Sequence, residues 1–288
     1  MHFLNVYHCF ESVGRLTRAL SGSVPQASCI TTAYRQAITG IRPIAPPAAG
    51  ISISFECGPW GSYLLEHCIF EDIFVGIKES DRLSRAAWSA QVAEALQYIR
   101  ELHPDLGRIV DLLVTDVVVL SSERTGGGSA SHIAGLVCIS PGPGWTMVDF
   151  AESIVHEATH LNLFVADMVY GMYRLPASEL AADEYRVLSA VKVGELRPLD
   201  KAFHSAVVAV PLMYMQYLRG ESTLVDQFTT SLLECCEGLV EKRACFTDYG
   251  MMLVEELQRF ALTTDFNYVV ESLSSPAYAF CSLTSEVG

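Results

Sequence analysis

Charge is scarce in this chain and unevenly signed. Only 18% of the 288 residues are Asp, Glu, Lys or Arg, and 19 Lys plus Arg stand against 33 Asp plus Glu, for a formal net charge of −14. Neutralising a phosphate backbone requires clustered cations, so this balance argues against binding to nucleic acid, and it disfavours an anionic lipid surface as well. Long apolar runs are missing too. The longest apolar stretch, 206–218, is interrupted by Pro211 and Gln216 and falls short of the roughly 18 residues that cross a bilayer. The first fifteen residues, MHFLNVYHCFESVGR, lack the cationic start and small-residue cleavage site of a secretory signal, and the expectation is a cytoplasmic protein with no membrane partner. None of the cysteines at 9, 29, 57, 68, 138, 235, 236, 245 and 281 forms a C-x-x-C pair. They read as reduced and mostly buried thiols, with Cys235 and Cys236 diverging on a helix rather than bridged.

What remains is ample material for a core. Half of the residues are hydrophobic and 10% are aromatic, which rules out a disordered chain. Residues 1–60 carry Ser, Pro and Gly breaks, above all at Ile41-Arg-Pro-Ile-Ala-Pro-Pro-Ala-Ala-Gly50, and read as an irregular segment. From 80 to 103 the apolar positions Ala87, Val92, Ala95, Leu96, Ile99 and Leu102 recur at three- and four-residue steps before Pro104, predicting a one-sided helix. The β-branched stretch 109–121 and the stretch 134–140 predict two strands. Between them lies Gly126-Gly-Gly128, which precedes no G-K-[ST] and reads as a mobile turn or flap. Asp149 with Glu152 resembles a capping box that opens a helix through 154–165. After an irregular stretch over 170–197, Pro198 suits the first turn of a helix over 199–219, and two more follow at about 222–243 and 246–262. These elements predict an α+β, predominantly helical fold. Its small antiparallel sheet packs on a metal-binding helix, and its C-terminal half is helical. The whole is read as a single domain over 1–288, with a metal-site core over 105–220 and C-terminal helices over 221–288.

The chemistry sits in His156-Glu157-Ala158-Thr159-His160, an H-E-x-x-H sequence on a predicted helix. Four-residue spacing places both imidazoles on one face, one turn apart, where they can share a metal ion. The third ligand decides the reaction, and two candidates stand in the sequence. Glu179, followed by Asp183, gives H-E-x-x-H-x18-E-x3-D, which resembles the thermolysin-like zinc peptidases. That resemblance implies Glu157 as general base on zinc-bound water. The other candidate is His204.

Read together, Gly135-Leu-Val-Cys-Ile-Ser140, Glu152-Ser-Ile-Val-His-Glu-Ala-Thr-His-Leu161 and Arg197-Pro-Leu-x4-His204 resemble the H-E-x-x-H-type, 2-oxoglutarate-dependent peptide β-hydroxylases that modify ribosomally made peptides. The resemblance covers about residues 110–220. The chain departs from it in offering Ser189-Ala-Val-Lys-Val193 where the family commonly has Pro-Trp-Arg. It implies iron(II) held by His156, His160 and His204, a variant of the facial arrangement of non-heme oxygenases. It also implies 2-oxoglutarate as co-substrate with Arg197 pairing its far carboxylate, O2 as oxidant, and a precursor peptide as substrate. An acidic protein suits a cationic peptide. Trp60 and Trp145 are candidates either to hold a peptide or to plug a loop, His132 reads as a surface-loop residue, and Met213-Tyr-Met-Gln-Tyr217 reads as core.

Overall fold

The computed structural model describes residues 1–280 and divides into two compact units, Val13–Leu161 and Met1–Ser12 with Asn162 onward. Eleven α-helices and six short strands are present among the described residues, so the predominantly helical class holds. No helix among them is long and apolar enough to cross a membrane.

The unit Val13–Leu161 takes in most of α1 (Val6–Ser21), then α2 (Ile30–Ile38), β1 (Ser52–Phe55), α3 (Pro59–Glu66), α4 (Arg82–Leu102), α5 (Pro104–Leu113), β2 (Asp116–Val119), β3 (Gly126–Gly128), β4 (Leu136–Ser140) and the first part of α6 (Met147–Tyr170). The N-terminal sixty residues are therefore not irregular. Two helices and a strand form there, because the breaks at Gly22, at Pro25 and over 40–50 fall between these elements, while apolar positions such as Val6, Cys9, Val13 and Leu16 are buried along α1. Asp81 caps α4 by accepting from the backbone N–H of Leu83 and Ser84 at 2.8 and 3.0 Å, satisfying donors that a helix start leaves open.

The strand expected over 109–121 is shorter than predicted. Pro104 opens α5 at its first turn, where its missing N–H is no loss. Leu106, Ile109, Val110 and Leu113 then bury one face of that helix. Only the Asp116–Val119 run is left to extend as β2.

The sheet order is β1-β2-β4-β3. It is mixed, and the expectation of antiparallel pairing between 109–121 and 134–140 is corrected: β2 runs parallel to both β1 and β4, with Val117 opposite Ile53 and Val137. Parallel neighbours need a crossover of a dozen or more residues, and 120–135 supplies it. The hairpin partner of β4 is β3, antiparallel, with Gly126 opposite Ser140 and Gly128 opposite Cys138. Every residue of β2 and β4 is buried, as strands covered on both faces must be, and this is why they read as continuous apolar runs without alternation. The Pro-rich segment is fastened to this sheet by Arg42. Its buried guanidinium donates to Asp116 at 2.6 Å, to Thr115 at 2.7 Å and to the Ala134 carbonyl at 2.9 Å, and it lies over the Trp60 ring. Of the two readings of Trp60, the structural one holds: it is a core residue.

The other unit holds the rest of α6, then α7 (Ala177–Leu180), the hairpin of β5 (Val187–Leu188) and β6 (Leu196–Arg197), α8 (Leu199–Leu218), α9 (Thr223–Glu241), α10 (Asp248–Thr263) and α11 (Phe266–Ser274). The predicted helices over 199–219, 222–243 and 246–262 are α8, α9 and α10. Helix α8 is buried from Leu199 through Gln216 apart from two positions in its first turn, so Met213 to Gln216 are core as expected, whereas Tyr217, also expected in the core, is exposed. Gly238 lets α9 approach the β5 strand, since a Cβ there would meet the Val187 side chain at 2.6 Å. Among the described residues every cysteine is free and five of the eight are buried, Cys235 and Cys236 included. Cys281 lies outside the described residues.

Candidate metal centre

Helix α6 carries the H-E-x-x-H sequence, and it starts at Met147, two residues before Asp149. Asp149 accepts from the Thr146 backbone N–H at 2.6 Å and from the Thr146 hydroxyl at 2.7 Å. The carboxylate thus reaches back to the residue before the helix, which is the reciprocal half of a capping box one step upstream of Asp149 and Glu152.

Two turns on, the His156 and His160 rings meet edge to face with their Nε2 atoms 3.1 Å apart. Metal–nitrogen bonds of about 2.0–2.1 Å hold two ligand nitrogens on one ion about 3.0–3.4 Å apart, and the observed separation falls in that range. The donor set is suitable for a borderline transition metal, and both rings are half-buried. Glu157 is buried, with one oxygen 3.9 Å from His156 Nε2. One ligand atom from each of His156, Glu157 and His160 lies within 4.8 Å of the other two.

The surroundings of Glu157 explain its electrostatics. Its side chain lies against β3: a Cβ added at Gly127 would lie 2.5 Å from Glu157 Oε1, so any larger residue there obliges the carboxyl or the strand to shift. Ser129, just past β3, donates its hydroxyl to Glu157 Oε2 at 2.7 Å. Burial pushes the carboxyl up from its ordinary 4.5 to about 7, and the Ser129 bond opposes part of that rise. The Gly126–Gly128 run is therefore an edge strand rather than a mobile turn, and Ser129 and Gly127 are functional neighbours that spacing alone did not reveal. The one available signal was the glycine run itself, which marks a place where a backbone comes close to something else.

His204, Arg197, Glu179 and Asp183 belong to the other unit, whereas His132 and Trp145 lie in the same unit as the histidine pair. His204 is buried on α8, its ring 5.2 Å from that of Phe164, and Phe164 sits one helical turn beyond His160 on α6. Arg197 ends β6, paired in register with Val187, and its Nε lies 4.0 Å from Glu195. Glu179 is exposed on the four-residue α7, and Asp183 is exposed with a 3.2 Å ion pair to Arg186. His132 is exposed in its loop, and half-buried Trp145 accepts from Gln91 through its carbonyl. No protein-family model and no curated protein matches this chain.

Proposed function

We propose that this protein is an iron(II)- and 2-oxoglutarate-dependent oxygenase that hydroxylates a β-carbon in a ribosomally made precursor peptide. The observation that carries the reading is the convergence of two imidazole nitrogens at 3.1 Å beside a buried carboxyl. The R-P-L-x4-H sequence that ends at His204 supports it. His156, His160 and His204 hold the metal as neutral imidazoles, leaving its charge uncompensated and positions open. Burial of His204, against the exposure of Glu179, favours the histidine, because a ligand held by packing is pre-oriented. When bound, iron(II) with 2-oxoglutarate supplies the oxidising chemistry: O2 is consumed, succinate and carbon dioxide leave, and one oxygen atom enters an unactivated C–H bond. Arg197 pairs with the far carboxylate of 2-oxoglutarate through its planar fork of donors. Glu157, fixed by Ser129, orients groups at the metal.

One observation favours a second reading. A buried carboxyl raised to about 7 next to a histidine pair is also what a zinc peptidase needs in a general base. The two readings separate on the third ligand. With His204→Ala and Glu179→Ala purified side by side, the oxygenase reading expects metal stoichiometry to fall only in His204→Ala. Loss in Glu179→Ala with retention in His204→Ala would establish the peptidase geometry instead.

A further inference from the structure

Among the described residues no strand pairs with the outer edge of β3, beside Glu157, and the geometry of that edge is fixed by the strands behind it. Leu120 donates its N–H to the Ile139 carbonyl at 2.8 Å, so Ile139 faces β2. In a strand, alternate residues direct their N–H and C=O to opposite sides, so Cys138 and Ser140 face β3. The register Gly128 opposite Cys138 and Gly126 opposite Ser140 then places the hydrogen-bonding groups of Gly126 and Gly128 toward β4. Those of Gly127 point away from the sheet, where the order β1-β2-β4-β3 ends. Gly127 is half-buried, and no side chain on β3 shields its edge.

The two faces of this strand differ. A Cβ at Gly127 points at Glu157, whereas Cβ atoms at Gly126 and Gly128 point at Ile73 and Phe70. Phe70 holds a left-handed backbone (φ 66), costly for an aromatic residue, and the ring lies against β3 all the same.

We propose that the outer edge of β3 docks an extended, cationic polypeptide segment, which adds a strand beside Gly127. As the route by which a peptide substrate reaches the metal, the inference rests on the oxygenase reading above. An N–H and a C=O displayed at strand spacing match a peptide backbone. Directly opposed residues share a face of the sheet. The peptide residue opposite Gly127 therefore turns its side chain toward Glu157, and its two neighbours turn theirs toward Phe70 and Ile73. The substrate pattern this selects is apolar, target, apolar. A net charge of −14 attracts basic residues flanking that core and repels a second copy of this chain from the same edge.

The test is a titration of the full chain, labelled with 15N-glycine and loaded with zinc, which supports no oxidation. Three capped peptides serve as probes: Lys-Lys-Val-Ala-Val-Lys-Lys, the same peptide N-methylated at Ala, and Glu-Glu-Val-Ala-Val-Glu-Glu. The expected result is a saturable shift of the Gly127 amide with the first peptide while Gly144 stays still, with affinity at least about tenfold weaker for the other two. No Gly127 shift up to about 5 mM of the lysine peptide, equal affinity for the N-methylated form, or a Gly127 shift produced by raising protein concentration alone would each overturn the proposal. A peptide that stimulates succinate release from the iron enzyme and leaves Gly127 unmoved also overturns it, while sparing the oxygenase reading. Docking at Gly127 with no succinate from any peptide supports the edge site and counts against the oxygenase.

Discussion

Replacing Gly127 by alanine tests the contact on which the site's architecture depends. The new methyl group would lie 2.5 Å from Glu157 Oε1 and 3.2 Å from Glu157 Cγ and Cδ. Ordinary contact near 3.4 Å requires the carboxyl to retreat by about 0.9 Å, or β3 to lift by as much, since interiors have no slack to absorb it. Either movement breaks the 2.7 Å bond from Ser129. Overpacking of this kind costs about 1–3 kcal/mol, and losing a hydrogen bond to a partly ionised buried group adds about 1–2 kcal/mol. We expect Gly127→Ala to lower the stability of the metal-free protein by about 2–5 kcal/mol in urea unfolding. Adding Glu157→Ala should recover most of the overpacking part, a coupling of about 1–3 kcal/mol. A single variant within about 0.5 kcal/mol of the parent, or full additivity in the double variant, would refute the packing of β3 against Glu157.

Three further outcomes follow from the same contacts. Glu157 is pushed up to about 7 from 4.5, so the metal-free folded state binds its proton more tightly than the unfolded chain. The resulting stability is complete below about 4.5 and lost as pH rises through about 7, amounting to about 3 kcal/mol; Glu157→Gln should flatten the urea midpoint over that window, and an unchanged slope would contradict it. Arg42→Ala leaves Asp116 buried without its 2.6 Å partner and should cost about 3–5 kcal/mol by urea unfolding, with an effect under about 1 kcal/mol speaking against the anchoring role. His156→Ala and His160→Ala should each reduce bound metal from one equivalent to near zero by elemental analysis, whereas Cys138→Ala, whose thiol is raised by burial and by the Glu157 charge, should keep it.

The helices were legible where apolar residues recur at helical spacing and a breaker marks the end, as in α4 before Pro104 and α8 after Pro198. The H-E-x-x-H pair was legible for the same reason: four-residue spacing on a helix fixes which side chains meet. Strand direction was not. Val117-Val-Val119 and Leu136-Val-Cys-Ile139 are apolar on both faces, and that pattern says they are covered without saying which way they run. The Gly-rich connection looked like the turn of one hairpin and is itself a strand, because glycines with no side chain to pattern leave register unmarked. The neighbours of Glu157 were invisible for a related reason: Ser129 is 28 residues away, and nothing local in the sequence signals a bond formed by tertiary packing.

The most direct test of the account is anaerobic reconstitution with iron(II) and 2-oxoglutarate, followed by admission of O2. We expect a weak visible charge-transfer band, succinate that appears only with O2, and loss of both in His204→Ala. A protein that binds zinc tightly, gives neither band nor succinate, and loses its zinc in Glu179→Ala would contradict it.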